Sequence, residues 1–159
     1  LTSLIRGGGQ ERGKRAGTEN LPGIIGLAAA LKDAQENMQQ NTAYITGLRD
    51  ALRNGLDKID GASFNGSREH CLPGTVNYSF QGVNGEALLS LLANAGICCS
   101  SGSACSAGSL EPSHVLLALG LSSEMAQSAL RFSLCEYNTM DEVQTIITKV
   151  TEAVNRLRR

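Results

Sequence analysis

Five cysteines occur in the chain, at Cys71, Cys98, Cys99, Cys105 and Cys135, and one of them has neighbours suited to reactivity. Cys105 lies within Ser100-Ser101-Gly102-Ser103-Ala104-Cys105-Ser106-Ala107-Gly108-Ser109, where no large apolar neighbour in sequence would bury it. A nucleophilic thiol needs exposure, an open approach and something that favours the thiolate. The loop composition supplies the first two, although the same composition describes an ordinary turn. Cys98 and Cys99 follow Ile97, and one of the pair should point inward as a small hydrophobe. Cys135 reads as structural, and Cys71, beside His70, is an unassigned loop thiol. An odd number of cysteines, two of them adjacent, makes a poor disulfide framework, so reduced thiols in a cytosol or organelle matrix are expected. Zinc is not expected, because His70, Cys71, Cys98, Cys99, Cys105 and His114 form no pair at the spacing of a closed site.

Two further groups have anion-holding chemistry. Backbone N–H groups around Gly7, Gly8, Gly9 and Gly17, with the Thr18 hydroxyl and Lys14 or Arg15, suit a phosphate. The segment is neither a P-loop nor a dinucleotide fingerprint, since it lacks the Gly-Lys-Ser/Thr ending and a preceding strand. On these residues alone a solvated loop remains the competing reading. Arg131 lies in Ala129-Leu130-Arg131-Phe132-Ser133-Leu134, on the face opposite Leu130 and Phe132. A guanidinium there suits a bidentate grip on a carboxylate, with an exposed edge-strand arginine as the alternative.

The elements that must position these groups follow from periodicity. Residues 1–20 show no apolar period and read as loop. Asn20 is the expected N-cap of a helix with Pro22 in its first turn. Ile24, Leu27, Ala28, Leu31, Ala34 and Met38, then Ile45, Leu48, Leu52, Leu56 and Ile59, predict one long helix or two in series. A short strand is expected over 62–65 and an alternating strand over 75–80, with Val76, Tyr78 and Phe80 on one face. A helix over 86–95 should close at Gly96, followed by a short strand at 97–99. Pro112 should open a helix ending at Gly120, and residues 129–134 form another alternating strand. Thr139 and Glu142 form a capping box before Val143, Ile146, Ile147, Val150, Val154 and Leu157 at helical spacing.

Composition bounds the class. With 159 residues, 42% hydrophobic, and 14 basic against 15 acidic side chains, the chain suits one α/β domain with an N-terminal arm that has no core of its own. The near-neutral charge argues against direct nucleic-acid binding. No apolar run approaches a membrane span, and the first residues lack the features of a signal peptide. The chain begins without methionine, so a piece of something longer is expected.

Three segments, in order over nearly the whole chain, resemble one family. Gly7-Gly8-Gly9-Gln10-Glu11-Arg12 with Arg15-Ala16-Gly17-Thr18-Glu19-Asn20 is similar to the arm of the pyridoxal-phosphate-dependent cysteine desulfurases. Residues 100–106 through Leu110-Glu111-Pro112-Ser113-His114-Val115-Leu116 resemble their active-cysteine loop and following helix. Arg131-Phe132-Ser133-Leu134 resembles their substrate-carboxylate strand. The resemblance implies the C-terminal part of the fold-type I pyridoxal-phosphate transferase fold: residues 1–20 an arm from the large domain, and 21–159 the small domain, helices on a small sheet, carrying the cysteine loop at about 98–112. It implies conversion of L-cysteine to L-alanine. Cys105 would take the sulfur as a persulfide, Arg131 would hold the substrate carboxylate, and Thr18 would reach the cofactor phosphate of the partner subunit in a homodimer. It further implies delivery to an iron–sulfur scaffold or other sulfur-acceptor protein, or to tRNA thiolation. A transient contact of Cys105 with iron–sulfur metal through the persulfide also follows, in a cytoplasmic or mitochondrial-matrix setting. The lysine that carries the cofactor is expected upstream, because none of Lys14, Lys32, Lys58 and Lys149 has its setting. This chain alone is therefore expected to be inactive, with a non-catalytic dimerisation or persulfide-carrier module as the alternative. A selenocysteine lyase and a thiol peroxide sensor pairing Cys105 with Cys98 or Cys99 rank lower.

Overall fold

Residues 2–101 and 112–159 are described by a computed structural model. The chain divides into two units, Leu1–Gln39 and Gln40–Arg159, and each is described by itself. In the first, a single 3-10 turn, Gln10–Gly13, interrupts the glycine-rich arm. Glu11 and Arg12 adopt left-handed backbone at φ 52° and 57°, a conformation uncommon outside glycine. Ala16 is buried and its N–H donates to the Ile5 carbonyl at 3.2 Å.

Helix α1 runs unbroken over Leu21–Leu56, the single-helix form of the two arrangements that the periodicity allows. The Asn20 side chain accepts from the Gly23 N–H at 3.1 Å, as expected of an N-cap. Within the first unit the apolar positions Ile24, Leu27, Leu31 and Met38 are exposed.

The second unit holds the core. Strands β1 (Ala62–Phe64), β2 (Thr75–Phe80), β3 (Ser100–Ser101) and β4 (Ala129–Ser133) form an antiparallel sheet in the order β1-β2-β4-β3. Alternation gives it two unlike faces. Val76, Tyr78, Phe80, Leu130 and Phe132 are buried against Leu48, Leu52 and Leu56 of α1, Leu88 and Leu92 of α2 (Gly85–Asn94), and Val143, Val150 and Val154 of α5 (Met140–Leu157). The α1–α5 approach is so close at Gly55 that a Cβ there would collide with the Ile147 side chain. The opposite face carries Thr75, Asn77, Ser79, Arg131 and Ser133. One end of it is covered by α3 (His114–Ala118) and α4 (Ser123–Gln127), through Leu116, Ala126 and Ala129.

Helix α5 begins with the expected capping box: the Glu142 N–H donates to Thr139 Oγ1 at 3.2 Å and the Thr139 N–H to Glu142 Oε2 at 2.9 Å. The Glu142 carboxyl is held below its ordinary range, first by that Thr139 N–H and then by the Asn138 amide. One expected strand is displaced. Residues 97–99 are not in the sheet, and pairing starts at Ser100. The Ile97 N–H is used to close α2, donating to the Leu92 carbonyl at 2.9 Å while the Gly96 N–H donates to Ala93 at 3.0 Å. This is a Schellman ending around Gly96 at φ 79°. Helix α4 has no counterpart among the sequence expectations; at five residues it is too short to show a period.

Candidate functional site

Arg131 is placed by the two central strands. It stands mid-way along β4, flanked by β2 and β3, so the edge-strand alternative does not hold. Its register partners are Asn77 on β2 and Ser100 on β3, and the residue following β1, Asn65, donates its backbone N–H to the Asn77 carbonyl at 2.9 Å. Directly opposed residues in antiparallel strands share a face. A polar row, Asn65–Asn77–Arg131–Ser100, therefore crosses the sheet on the face away from the core. All four residues are half-buried.

The hydrogen bonds of this row are uneven. Asn65 Nδ2 donates to Asn77 Oδ1 at 2.7 Å and to Ser79 Oγ at 2.8 Å. Ser100 Oγ donates to the Ser101 carbonyl at 2.9 Å. Arg131 has no ion pair and no side-chain hydrogen bond among the described residues. The other half-buried or buried arginines are all partnered. Arg49 and Arg53 lie on Asp50 at 2.9 and 3.6 Å, and Arg158 donates to the Asp60 and Gln81 carbonyls. A half-buried guanidinium with no anion beside it among the described residues has the chemistry to hold a carboxylate.

Ser100 and Ser101 lead by sequence into 102–111, which contains Cys105 and lies outside the described residues. On the far side of that segment Ser113 is buried at the start of α3. Cys99 packs against the core, and burial pushes its thiol up to about 11. Cys98 is exposed. This is the inward–outward division expected of the pair. Cys135, read as structural, is exposed instead, with its N–H held by Asn138 Oδ1 at 2.9 Å. Cys71 accepts from Arg49 Nη1 at 3.4 Å. Among the described residues no cluster of His, Cys, Asp and Glu could hold a metal ion.

In the arm, Arg15 donates to the Gly17 and Thr18 carbonyls at 3.2 and 3.4 Å, and the Gly17 N–H donates to Gln10 Oε1 at 3.2 Å. Gly17 has φ 100°, a conformation that side chains rarely adopt. The Thr18 hydroxyl is exposed and has no partner among the described residues.

On the core side of the sheet is a cluster that the sequence reading did not single out. The Tyr78 hydroxyl donates to Asp57 Oδ1 at 2.7 Å and to the Arg53 carbonyl at 3.3 Å. Arg68 grips the same carboxylate with two bonds of 2.8 Å. The Arg68 bonds are the largest influence holding the Asp57 carboxyl below its ordinary value, while burial and the Asp57 charge push the Tyr78 hydroxyl up. Arg53 lies over the Phe64 ring at 4.8 Å. This cluster ties the end of α1 to β1 and β2. The row members Asn65 and Asn77 were also not singled out. Their one sequence signal is the position of Asn77 on the polar parity of an alternating strand.

Residues 7–146 match the family model described as aminotransferase class-V. A cysteine desulfurase of Gluconacetobacter diazotrophicus is 46% identical over 159 residues, covering 99% of this chain and 40% of the relative. The cysteine desulfurase NifS of Azotobacter vinelandii is 45% identical over 156 residues, covering 98% of this chain and 39% of the relative. A solved structure of a NifS-like protein superposes with a TM-score of 0.83 at 39% identity, over 99% of this chain and 40% of that one. The chain thus spans about 40% of the length of the relatives it matches. Among the described residues no helix is long and apolar enough to cross a membrane. The ordered strands and helices over 40–159 and the match spanning 7–146 place this chain in the aminotransferase class-V family.

Proposed function

We propose that this chain is the C-terminal part of a cysteine desulfurase, a pyridoxal-phosphate-dependent enzyme that takes sulfur from L-cysteine and releases L-alanine. The observation that carries the reading is Arg131: a half-buried guanidinium at the centre of the sheet, unpaired among the described residues, opposite the strand that leads to Cys105.

The donors of this chain fit one end of the cofactor. Thr18 offers an exposed hydroxyl, unpartnered among the described residues, beside a glycine-shaped turn, suited to a phosphate oxygen, and across a homodimer it would serve the partner's cofactor. The lysine that anchors the cofactor belongs to the remainder of the protein. Here Lys32 pairs with Glu36 and Lys149 with Glu152, while Lys14 and Lys58 stand exposed. When bound, pyridoxal phosphate supplies an electron sink for the bonds around the substrate Cα.

This chain's own residues do the rest. Arg131 holds the substrate carboxylate and so fixes the direction in which the side chain projects. The Cys105 thiolate attacks the substrate sulfur. A sulfur–sulfur bond forms, the substrate's carbon–sulfur bond breaks, and its electron pair stays with the carbon, which gains a proton and leaves as alanine. Cys105 retains the outer sulfur as a persulfide. The Ser-, Gly- and Ala-rich composition around Cys105 suits its passage to an acceptor, and an iron–sulfur scaffold protein or a tRNA-thiolation pathway is the proposed destination.

The test uses the full-length protein with cofactor. Cys105→Ser should abolish alanine formation from L-cysteine and leave the cofactor's visible absorbance intact. Arg131→Ala should chiefly raise the KM for L-cysteine. Undiminished turnover in the Cys105→Ser protein overturns the proposal.

A further inference from the structure

Two hydrogen-bond donors without an acceptor among the described residues face one another on the polar row. The Asn77 side chain is oriented by its carbonyl oxygen: Oδ1 accepts from Asn65 Nδ2 at 2.7 Å, and Asn65 is steadied by a second bond to Ser79 Oγ at 2.8 Å. Ser79 is itself fully buried. With Oδ1 committed on the β1 side, the Nδ2 of Asn77 is left without an acceptor among the described residues. Across the ladder stands Arg131, its register partner, also without an acceptor. Opposed residues of antiparallel strands have Cβ atoms about 4.5–5.5 Å apart, close enough for both side chains to reach one small ligand. Among the described residues no buried side-chain nitrogen or oxygen lacks a partner, so both donors are open to solvent and to a ligand, and two neighbouring donors suit a shared acceptor with more than one oxygen.

We infer that Asn77 is a second carboxylate-binding residue of the substrate site: Arg131 and the Asn77 amide hold the same α-carboxylate, and Asn65 is a positioning residue that acts through Asn77. The inference rests on the desulfurase reading for the identity of the substrate but not for the class of ligand, which is an α-amino acid carboxylate. Arg131 supplies the charge, while Asn77 supplies a directional bond that fixes the rotation of the carboxylate plane. A ligand with a carboxamide in place of the carboxylate would meet donors with its own NH2 group and bind poorly.

The experiment uses the full-length holoenzyme. Asn77→Ala should raise the KM for L-cysteine about ten- to hundredfold with kcat within twofold, the loss of roughly one hydrogen bond to a charged group. Asn77→Asp should raise KM further, because the new carboxylate would pair with Arg131 and repel the substrate. Asn65→Ala should give a smaller rise in KM, and the Asn77→Ala/Arg131→Ala double variant should lose less than the product of the single losses. Calorimetric binding of L-alanine and L-alaninamide supplies a readout independent of turnover. The parent should prefer the carboxylate, and Asn77→Ala should reduce that preference severalfold. An unchanged KM, or an unchanged preference for alanine over alaninamide, overturns the assignment. If the parent forms no alanine from cysteine, the desulfurase reading falls. The alanine–alaninamide preference then decides the Asn77 assignment separately.

Discussion

Arg131, proposed to hold a ligand, can be compared directly with Arg53, whose guanidinium is partnered within the fold. Arg53 has a side chain 9% exposed, lies 3.6 Å from Asp50, donates to the Arg68 carbonyl at 3.4 Å and covers the Phe64 ring at 4.8 Å. Its replacement by methionine, which keeps most of the stem, forfeits a hydrogen bond of about 0.5–1.5 kcal/mol and a cation–π contact of about 0.5–1 kcal/mol. The ion pair, with Asp50 half-exposed, adds a fraction of a kcal/mol at most, for a total near 1–3 kcal/mol. Arg131 has none of these partners among the described residues. Arg131→Met should therefore change stability by no more than about 0.5 kcal/mol. Urea unfolding of the 159-residue chain at pH 7, followed by circular dichroism, gives both numbers from the shift in midpoint at constant slope. If Arg131→Met costs as much as Arg53→Met, the guanidinium is a structural group and the argument for a waiting anion site is wrong.

Three other outcomes can be checked on the same chain. The Asp57 carboxyl is lowered in the folded state, so its contribution is fully present above the ordinary carboxylate value and is lost as pH falls through the folded one. The stability gap between the parent and Asp57→Asn, no more than about 1 kcal/mol for so exposed a pair, should narrow in urea titrations as the pH falls below the ordinary carboxylate value. Gly85→Ala should destabilise, because a Cβ there would collide with the rigid Gln127 carbonyl. A cost of about 1–3 kcal/mol is expected from overpacking, and an unchanged thermal midpoint would contradict it. At pH 8 a maleimide should label exposed Cys98 much faster than Cys99, whose thiol is pushed up to about 11. Peptide mapping of the labelled chain reads the ratio.

Local signals carried much of the architecture. The capping box at Thr139, the alternation through Thr75–Phe80 and Ala129–Ser133, and the Gly96 stop each satisfy a short-range rule, and each appears where the residues predict it. The strand expected at 97–99 failed because a helix ending and a strand start compete for the Ile97 N–H, and periodicity cannot show which takes it. The candidate site was legible at Arg131, whose parity in β4 follows from the alternation. Asn65 and Asn77 were not legible as its neighbours, because they meet Arg131 only through the β2–β4 register, a long-range fact separated by more than fifty residues of chain. Cys105 rests on composition and resemblance, since it lies outside the described residues.

The placement of Arg131 between Leu130 and Phe132 also guards the assembly of the sheet. Side chains alternate with a period of two, so a slip of β4 by a single residue against β2 would turn the guanidinium toward Val76, Tyr78 and Phe80 and push Leu130 and Phe132 into water. A misaligned strand pair is thereby penalised twice, by a desolvated cation and by two greasy residues left outside. The charge proposed to hold a ligand thus doubles as a proofreading device for strand alignment.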